Sequence, residues 1–212
     1  MDKPDCGKAD FIKHFPVPRE TVHRLDAYAT LLAEWNEKFN LVAASTMPQL
    51  WTRHFLDSAQ LTAYIPSAAA SLVDMGSGAG LPGLIIAVLC PQLACHLIES
   101  TGKKADFLRL VAKELALNVV VHQDRIEAIR GLEADIVTAR ALKALPELLS
   151  YAKPLLKKDS FCLFPKGQNV DAELTAARKY WTFTIEKHQS LSDSSGSILK
   201  IGDLKILRSR KR

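Results

Sequence analysis

The 212-residue chain is poor in cysteine, has no long apolar run and lacks a secretory pattern at its start. No cysteine spacing forms a Cys-x-x-Cys pair or the ligand pattern of a zinc site, and the four are Cys6, Cys90, Cys95 and Cys162. No segment approaches the ~20 apolar residues that a membrane-spanning helix needs. The first ten residues, MDKPDCGKAD, are charged and contain no apolar stretch of a secretory signal. These absences predict a cytoplasmic protein with reduced thiols, no metal centre and no membrane partner.

One segment, LVDMGSGAGLPG at 72–83, combines a short apolar strand, an acidic residue and a glycine-dense turn. The acidic residue is Asp74, and the glycines are Gly76, Gly78, Gly80 and Gly83. The apolar run at 84–89 then predicts a helix. A strand, a turn without side chains and a helix N-terminus form a nucleotide-binding corner, because glycine allows close approach and the helix end presents unpaired N–H groups.

The glycine turn alone leaves two cofactors open. Residues 78–83 fit the Gly-x-Gly-x-x-Gly pattern of dinucleotide sites, which would indicate a nicotinamide-dependent oxidoreductase. Asp74 and the longer opening at Gly76 favour S-adenosylmethionine, because a carboxylate can meet its ammonium group and an open turn suits its amino-acid tail. Glu99 ends the next apolar run, where an acid can accept hydrogen bonds from both ribose hydroxyls or cap the following helix.

The net charge of +5 comes entirely from the last third of the chain. Residues 141–212 contain 14 Lys and Arg against 7 Asp and Glu, whereas each preceding third is slightly acidic. Four basic residues cluster in the final five positions: Arg208, Arg210, Lys211 and Arg212. A basic tail beside a nucleotide-binding core favours a polyanionic partner, most simply RNA. An exposed, solubilising terminus would explain the charge equally well.

The N-terminal part predicts helices. Apolar residues recur at three- and four-residue steps over 22–39, which is typical of one amphipathic helix. A second helix is expected over 48–64, capped by Thr46. Arg53 and Asp57 would form an i,i+4 ion pair on it.

From residue 71 onward, strands and helices alternate, which predicts a doubly wound parallel sheet. The expected strands are 71–75, 94–99, 118–122, 134–139 and 159–164, and the expected helices are 82–90, 102–116, 142–156 and 169–181. Two further strands, 182–190 and 198–206, are joined by a Ser-rich loop and predict an antiparallel hairpin. The sequence therefore predicts an α/β fold with a doubly wound, mostly parallel, seven-stranded Rossmann-like sheet, which is the arrangement found in S-adenosylmethionine-dependent methyltransferases. A helical extension at 1–70 would precede the domain at 71–212 that contains this sheet.

Six short motifs together resemble one protein family. They are WNEKFNL at 35–41, RHFLDS at 53–58, DMGSGAGLPG at 74–83, DRIE at 124–127, TARA at 138–141 and PKG at 165–167. In this order and spacing they are similar to the bacterial 16S ribosomal RNA guanine-N7 methyltransferases, the RsmG family, formerly called glucose-inhibited division protein B. The resemblance runs from about residue 20 to 206. It implies a monomeric enzyme that uses S-adenosylmethionine to methylate N7 of a guanine in 16S ribosomal RNA or the small ribosomal subunit.

The resemblance also implies roles for individual residues. The implied cofactor-binding residues are Asp74, Gly76, Gly78, Gly80, Leu81, Glu99, Ile126, Glu127 and Arg140. Arg140 and Arg125 would be catalytic, positioning a phosphate or the O6 edge of guanine. The implied RNA contacts are Arg53, His54, Lys166 and the tail residues Arg208, Arg210, Lys211 and Arg212. Ile126 stands where the family often has alanine.

Methylation at N7 needs no general base, because that nitrogen carries an in-plane lone pair and no hydrogen. The chain agrees, since it contains neither an Asn-Pro-Pro-Tyr motif for amine methylation nor a Pro-Cys nucleophile for a pyrimidine carbon. Three alternatives stay open at this point. They are a methyltransferase of a small molecule, the nicotinamide-dependent oxidoreductase, and a non-enzymatic RNA-binding protein with a decayed pocket.

Overall fold

One seven-stranded sheet organises the chain in the computed structural model, which describes residues 6–207. The strands are β1 (Ser71–Met75), β2 (Ala94–Ile98), β3 (Val119–His122), β4 (Ala134–Thr138), β5 (Leu156–Lys166), β6 (Trp181–Gln189) and β7 (Ser197–Ile206). Their order across the sheet is β3-β2-β1-β4-β5-β7-β6. The first five strands are parallel, and β7 runs antiparallel to both β5 and β6. This topology confirms the expected α/β sheet with its antiparallel edge hairpin.

Helices cover both faces of the sheet. The α-helices are α1 (Cys6–His14), α2 (Arg19–Phe39), α3 (Asp57–Ala59), α4 (Gly83–Leu89), α5 (Gly102–Glu114), α6 (Leu145–Ala152) and α7 (Val170–Ala177). Alternate residues of β1 point to opposite faces, so Leu72 packs with Ile86 of α4 while Val73 packs with Leu149 of α6. Because both faces are covered, β1 is buried along nearly its whole length.

The N-terminal helices share a hydrophobic core with the sheet's own helices. Leu25, Tyr28 and Leu32 of α2 are fully buried at the three- and four-residue spacing of one helix face. They belong to the same cluster as Leu84 of α4 and Phe107 of α5. The N-terminal extension is therefore packed directly against the part of the sheet that carries the glycine turn.

The segment between α2 and β1 differs from the expected single helix. It consists of a 3₁₀-helix (Ala44–Gln49), a π-helix (Trp51–Leu56), α3 and a second 3₁₀-helix (Gln60–Tyr64). The cap expected at Thr46 is wrong, because Thr46 lies inside the first 3₁₀-helix and its hydroxyl donates to the Ala43 carbonyl. The expected Arg53–Asp57 pair is also wrong, because Asp57 pairs with Arg140 instead. A π-helix has a wider turn than an α-helix, so residues four apart no longer share one face.

Other elements also differ from the sequence prediction. Helix α1 was not expected, and α6 covers only the middle of the helix expected at 142–156. Pro154 cannot continue α6, so the chain forms a 3₁₀ turn (Lys153–Leu155) and then enters β5 three residues earlier than expected. Helix α7 ends at Ala177 rather than 181.

The order of the strands creates a crevice at one edge of the sheet. Strand β1 pairs with β2 on one side and with β4 on the other, so the connection that follows β1 and the connection that follows β4 leave in opposite directions. Ligands of open α/β sheets bind at this switch point, beyond the carboxyl ends of the strands. Met75, Ile98, Thr138 and Lys166 end their strands at this edge.

Within the described part of the chain, no helix is long and apolar enough to span a membrane. The same residues contain no group of three or more His, Cys, Asp or Glu placed to hold a metal ion. Cys90, Cys95 and Cys162 are free thiols, and burial raises the pKa of Cys95 to about 12.

Candidate functional site

The glycine turn (residues 76–82) folds across the carboxyl ends of β1 and β2. The N–H of Ser77 donates to the Ile98 carbonyl at 3.0 Å, and the N–H of Gly80 donates to the Ser77 carbonyl at 2.7 Å. Gly80 has a φ of 91°, and a Cβ there would collide with the side chain of Leu84. Only glycine therefore lets the turn close this tightly on the start of α4.

Asp74 lies fully buried beneath the glycine turn. Its Oδ1 accepts a hydrogen bond from the Thr138 hydroxyl at 2.9 Å, and its Oδ2 accepts one from the N–H of Gly83 at 3.3 Å. Burial raises the pKa of this carboxyl to about 6, although its hydrogen-bond donors, Ser77 among them, and the charge of Arg140 act in the opposite direction. Asp74 thus shapes the turn from below, with both oxygens directed at protein donors.

Glu99 joins the glycine turn to the start of α5. Its Oε2 accepts from the N–H of Gly78 at 3.0 Å, and its Oε1 accepts from the N–H of Thr101 at 2.7 Å. The carboxylate therefore satisfies a helix N-terminus, as one of the two expected roles requires. Each carboxylate oxygen has a second lone pair, so the same group can also accept from a ligand.

Two cavities lie beyond the turn and share a small set of residues. A smaller cavity of about 350 Å³ extends toward Ile98, Glu99 and residues 124–127. A larger open cleft of about 940 Å³ extends toward the π-helix, Lys166 and the serine loop (residues 190–196). The residues that line both are Gly76, Gly78, Lys104, Arg140 and Ala141. A group bound in one cavity can meet a group bound in the other only at this junction.

Arg140 lies at the junction with its guanidinium held by three groups. Its Nη1 donates to the carboxylate of Asp57 and to the carbonyl of Arg53, both at 3.2 Å. Its Nη2 donates to Nδ1 of His54 at 3.0 Å. The side chain is only 16% exposed. The planar guanidinium is therefore fixed in one orientation between the two cavities.

His54 takes part in this arrangement as a neutral acceptor. A guanidinium can only donate, so Nδ1 of His54 must accept from Arg140. The Thr46 hydroxyl donates to the Ala43 carbonyl at 2.7 Å, so Nε2–H of His54 donates to Thr46 at 2.8 Å. Burial and the neighbouring Arg140 lower the pKa of His54 to about 4. The imidazole is therefore uncharged at neutral pH, and its role is to orient the guanidinium.

Tyr28 supports the glycine turn from the N-terminal extension. Its ring stacks on Phe55 with centroids 5.2 Å apart, and it is fully buried. Its hydroxyl donates to the carbonyl of Ala79 within the turn. Burial raises the pKa of this phenol, so Tyr28 keeps the proton that it donates. A residue from α2 thus holds the turn in place.

The residues expected to bind a cofactor surround the turn but do not all line a cavity. Six of them line the smaller cavity: Gly76, Gly78, Glu99, Ile126, Glu127 and Arg140. Leu81 lines the cleft. Gly80 and Asp74 are buried in and beneath the glycine turn and line neither cavity. Arg125, which was expected to be catalytic together with Arg140, is exposed and lines the smaller cavity but not the cleft. The structure therefore does not bring it to the cleft.

The residues expected to contact RNA fall into three environments. Arg53 is exposed on the cleft, whereas His54 is buried and neutral. Lys166 lines the cleft, but it forms an ion pair with Glu173 at 2.7 Å and is only 10% exposed. The tail residues Arg208, Arg210, Lys211 and Arg212 lie outside the described residues.

The last described residues lie beyond the far end of β7, which is the end away from the cleft. Strand β7 begins at Ser197, which pairs with Lys166 beside the cleft, and ends at Ile206, which pairs with Trp181. Ten residues in an extended strand span roughly 30 Å. Leu207 is therefore far from the junction.

Several residues of the site were not expected to belong to it: Tyr28, Thr46, Gln60, Lys104 and Ser192. A tyrosine on an otherwise apolar helix face is a usable signal, because a buried hydroxyl needs an acceptor. Gln60 and Ser192 are 132 positions apart, and no local pattern connects them.

Comparisons with known proteins agree with this geometry. The model of the family described as rRNA small subunit methyltransferase G matches residues 21–201. A curated protein of that name from Rhodospirillum centenum is 47% identical over 205 residues, covering 96% of this chain and 94% of its own length. Another from Hyphomonas neptunium is 48% identical over 197 residues, covering 93% and 95%.

Solved structures share the fold at low sequence identity. The plantazolicin methyltransferase BpumL, in complex with SAH, superposes with a TM-score of 0.58 at 13% identity, covering 87% of this chain and 98% of its own. The mitomycin 7-O-methyltransferase MmcR gives a TM-score of 0.60 at 15% identity, covering 81% and 60%. These likenesses show a methyltransferase fold.

Proposed function

Because this chain belongs to the family of the rRNA small subunit methyltransferase G proteins, we propose that it transfers a methyl group from S-adenosylmethionine to N7 of a guanine in 16S ribosomal RNA. The observation that carries the proposal is the junction at Arg140. There, a cavity suited to a nucleoside meets an open cleft through a few shared residues. Methyl donor and acceptor would meet at this junction.

The smaller cavity fits S-adenosylmethionine, which supplies an activated methyl group when bound. A Cβ at Gly78 would meet no heavy atom closer than 3.8 Å, so the missing side chain leaves open space for a ligand. The carboxylate of Glu99 would hold the ribose hydroxyls, and Ile126 and Glu127 would line the adenine side. Asp74, beneath the turn, adds negative potential that favours a cationic ligand.

The same residues disfavour a dinucleotide. A pyrophosphate in a Rossmann site binds the N–H groups at the start of the helix that follows the glycine turn. Here the N–H of Gly83, the first residue of α4, already donates to the carboxylate of Asp74. An anion at that position would lose this donor and face a buried acidic group. The structure thus favours the methyltransferase alternative over the oxidoreductase.

The cleft supports a reaction without a general base. His54 is the one imidazole that lines it among the described residues, and both of its ring nitrogens are engaged. Its pKa of about 4 makes it a poor base near neutral pH, and the Asp57 carboxylate is held by Arg140. N7 of guanine fits such a site, because its lone pair attacks directly. Catalysis would then rest on alignment, which can supply roughly 7–11 kcal/mol.

Arg140 would align the acceptor, since its fixed guanidinium can donate to the O6 edge of guanine or to a phosphate. Arg53, exposed on the cleft, would contact the RNA backbone. We place Arg125 with the cofactor side of the site rather than with the acceptor.

Purified protein incubated with small ribosomal subunits from cells that lack it, in the presence of S-adenosylmethionine, tests this proposal. The expected product is N7-methylguanine at one position of 16S ribosomal RNA, mapped by borohydride–aniline cleavage. Arg140→Ala, whose rate should be strongly lowered but measurable, serves as the control. Methylation of an exocyclic amine or a ribose, or of a small molecule but not of RNA, would contradict it.

A further inference from the structure

The carboxylate of Asp57 connects two parts of the cleft. Its Oδ2 accepts from Arg140 at 3.2 Å. Its Oδ1 accepts from the hydroxyl of Ser192 in the serine loop at 2.6 Å. The loop and the arginine therefore bind opposite oxygens of one acidic group, which is itself only 18% exposed.

Gln60, one turn after Asp57, fastens the same loop. It is 2% exposed, and its Oε1 accepts from the N–H of Leu191 at 2.7 Å. Its Nε2 donates to the hydroxyl of Ser190 at 3.1 Å and to Oδ1 of Asp57 at 3.0 Å. The amide is buried and uses both ends, so the loop has a specific docked position on this segment.

We propose that Asp57 is a positioning residue that couples docking of the serine loop to the orientation of Arg140. When Ser192 is seated, its hydroxyl holds the Asp57 carboxylate in place, and the carboxylate holds one edge of the guanidinium. When the loop is undocked, Oδ1 of Asp57 keeps only the Gln60 amide, which has itself lost its partners in the loop. The carboxylate is then held less firmly against Arg140, whose other partners are His54 and the Arg53 carbonyl. The arginine would thus be aligned for reaction only when the wall of the cleft is closed.

The serine loop lies where a bound RNA would contact it, so the coupling can link RNA binding to the orientation of Arg140. Ser190, Ser192 and Asp193 line the cleft in which the acceptor would bind. An RNA segment entering the cleft would contact this loop before its base reaches the junction. Binding of RNA would then favour the docked loop, and the docked loop would orient Arg140 through Asp57. This inference rests on the proposed function, because it assigns Arg140 to the alignment of the acceptor.

A set of single and double variants tests the coupling through the rate of methyl transfer at saturating RNA and cofactor. Asp57→Asn should lower kcat about 10- to 100-fold, the scale expected from a misplaced aligning group, with little change in cofactor affinity. Ser192→Ala should lower kcat less, in the same direction. In an Arg140→Ala background, neither change should lower the rate further, because both act through the arginine. Asp106→Asn, which breaks the exposed Arg109 pair on α5, is the matched control and should leave kcat unchanged.

Hydrogen exchange of the Leu191 amide in the protein without substrate gives a second readout that needs no activity. Exchange should be faster in Asp57→Asn and, since coupling is reciprocal, also in Arg140→Ala. Multiplicative losses of kcat in the double variants, or an effect of Asp57→Asn on KM alone, would overturn the inference. Unchanged exchange in both variants would overturn it as well. Should Asp57→Asn fail to fold, Ser192→Ala can replace it in the same double-mutant cycle. If the wild-type protein does not methylate RNA, the proposed function is refuted. The exchange experiment still tests the coupling in that case.

Discussion

Replacing Asp74 by asparagine should stabilise the ligand-free protein at alkaline pH, although it removes a group from the centre of the site. Asp74 is fully buried, and burial raises its pKa from 3.8 to about 6. An asparagine can keep the observed geometry, with its oxygen accepting from the N–H of Gly83 and its amide facing the Thr138 hydroxyl. The charge is thus removed with little change in packing.

The magnitude follows from proton linkage. Between pH ~4 and ~6 the folded state binds a proton at Asp74 that the unfolded state releases, so the free energy of unfolding falls as pH rises through this window. A shift of about two pKa units corresponds to roughly 3 kcal/mol. The stability of Asp74→Asn relative to wild type should therefore increase by up to about 3 kcal/mol between pH 4 and pH 8.

The comparison must be made as a difference between variants, because His54 acts in the opposite direction. Its folded-state pKa is lowered to about 4, so the unfolded state binds the extra proton between pH ~4 and ~6.5, and stability rises with pH there. This contribution is the same in both proteins and cancels. Urea denaturation at several pH values gives the difference. A difference that is constant with pH, or a loss of stability that grows above pH 6, would refute this account of Asp74.

Four further predictions concern binding and chemistry. Glu99→Ala should weaken S-adenosylmethionine binding by about 1–3 kcal/mol in calorimetry, and Glu99→Gln by less, while NAD should give no signal; tight NAD binding would contradict the assignment. Arg140→Lys should restore little of the activity lost in Arg140→Ala, because an ammonium cannot replace a guanidinium that reaches Asp57, His54 and the Arg53 carbonyl at once; full rescue would show that charge alone suffices. The rate at saturating substrates should be nearly flat from pH ~6.5 to ~9, since His54 does not titrate there and N7 needs no base; a single ionisation near neutrality would argue for general-base catalysis. Deleting residues 208–212 removes four basic residues, so the slope of log K for RNA binding against log salt concentration should become less steep by up to about 3, while cofactor affinity stays unchanged. An unaltered slope would show that the tail makes no RNA contact.

The glycine turn and its acids could be predicted because their signals are local. The apolar run before Asp74, the glycines after it and Glu99 at the end of the next strand lie within about thirty residues. Each carries a direct structural requirement, such as the positive φ of Gly80. The sheet followed in the same way from alternating strands and helices.

The environment of Arg140 could not be predicted, because its partners are distant in sequence. Asp57 is 83 positions from Arg140 and 135 from Ser192, and only the completed fold brings the three together. The π-helix at Trp51–Leu56 also has no simple sequence pattern, since its residues fit an α-helix equally well. This is why the spacing predicted Arg53 as the partner of Asp57. The RNA contact expected of His54 came from the family resemblance, whereas in the structure His54 binds Arg140.

The most direct test of the central claim is the methylation state of small-subunit RNA in cells with and without this protein. Mass spectrometry of 16S ribosomal RNA fragments should show one N7-methylguanine that is absent when the gene is deleted. The modification should return with the wild-type chain and not with Arg140→Ala. An RNA methylation pattern that is identical in both cells would contradict the account.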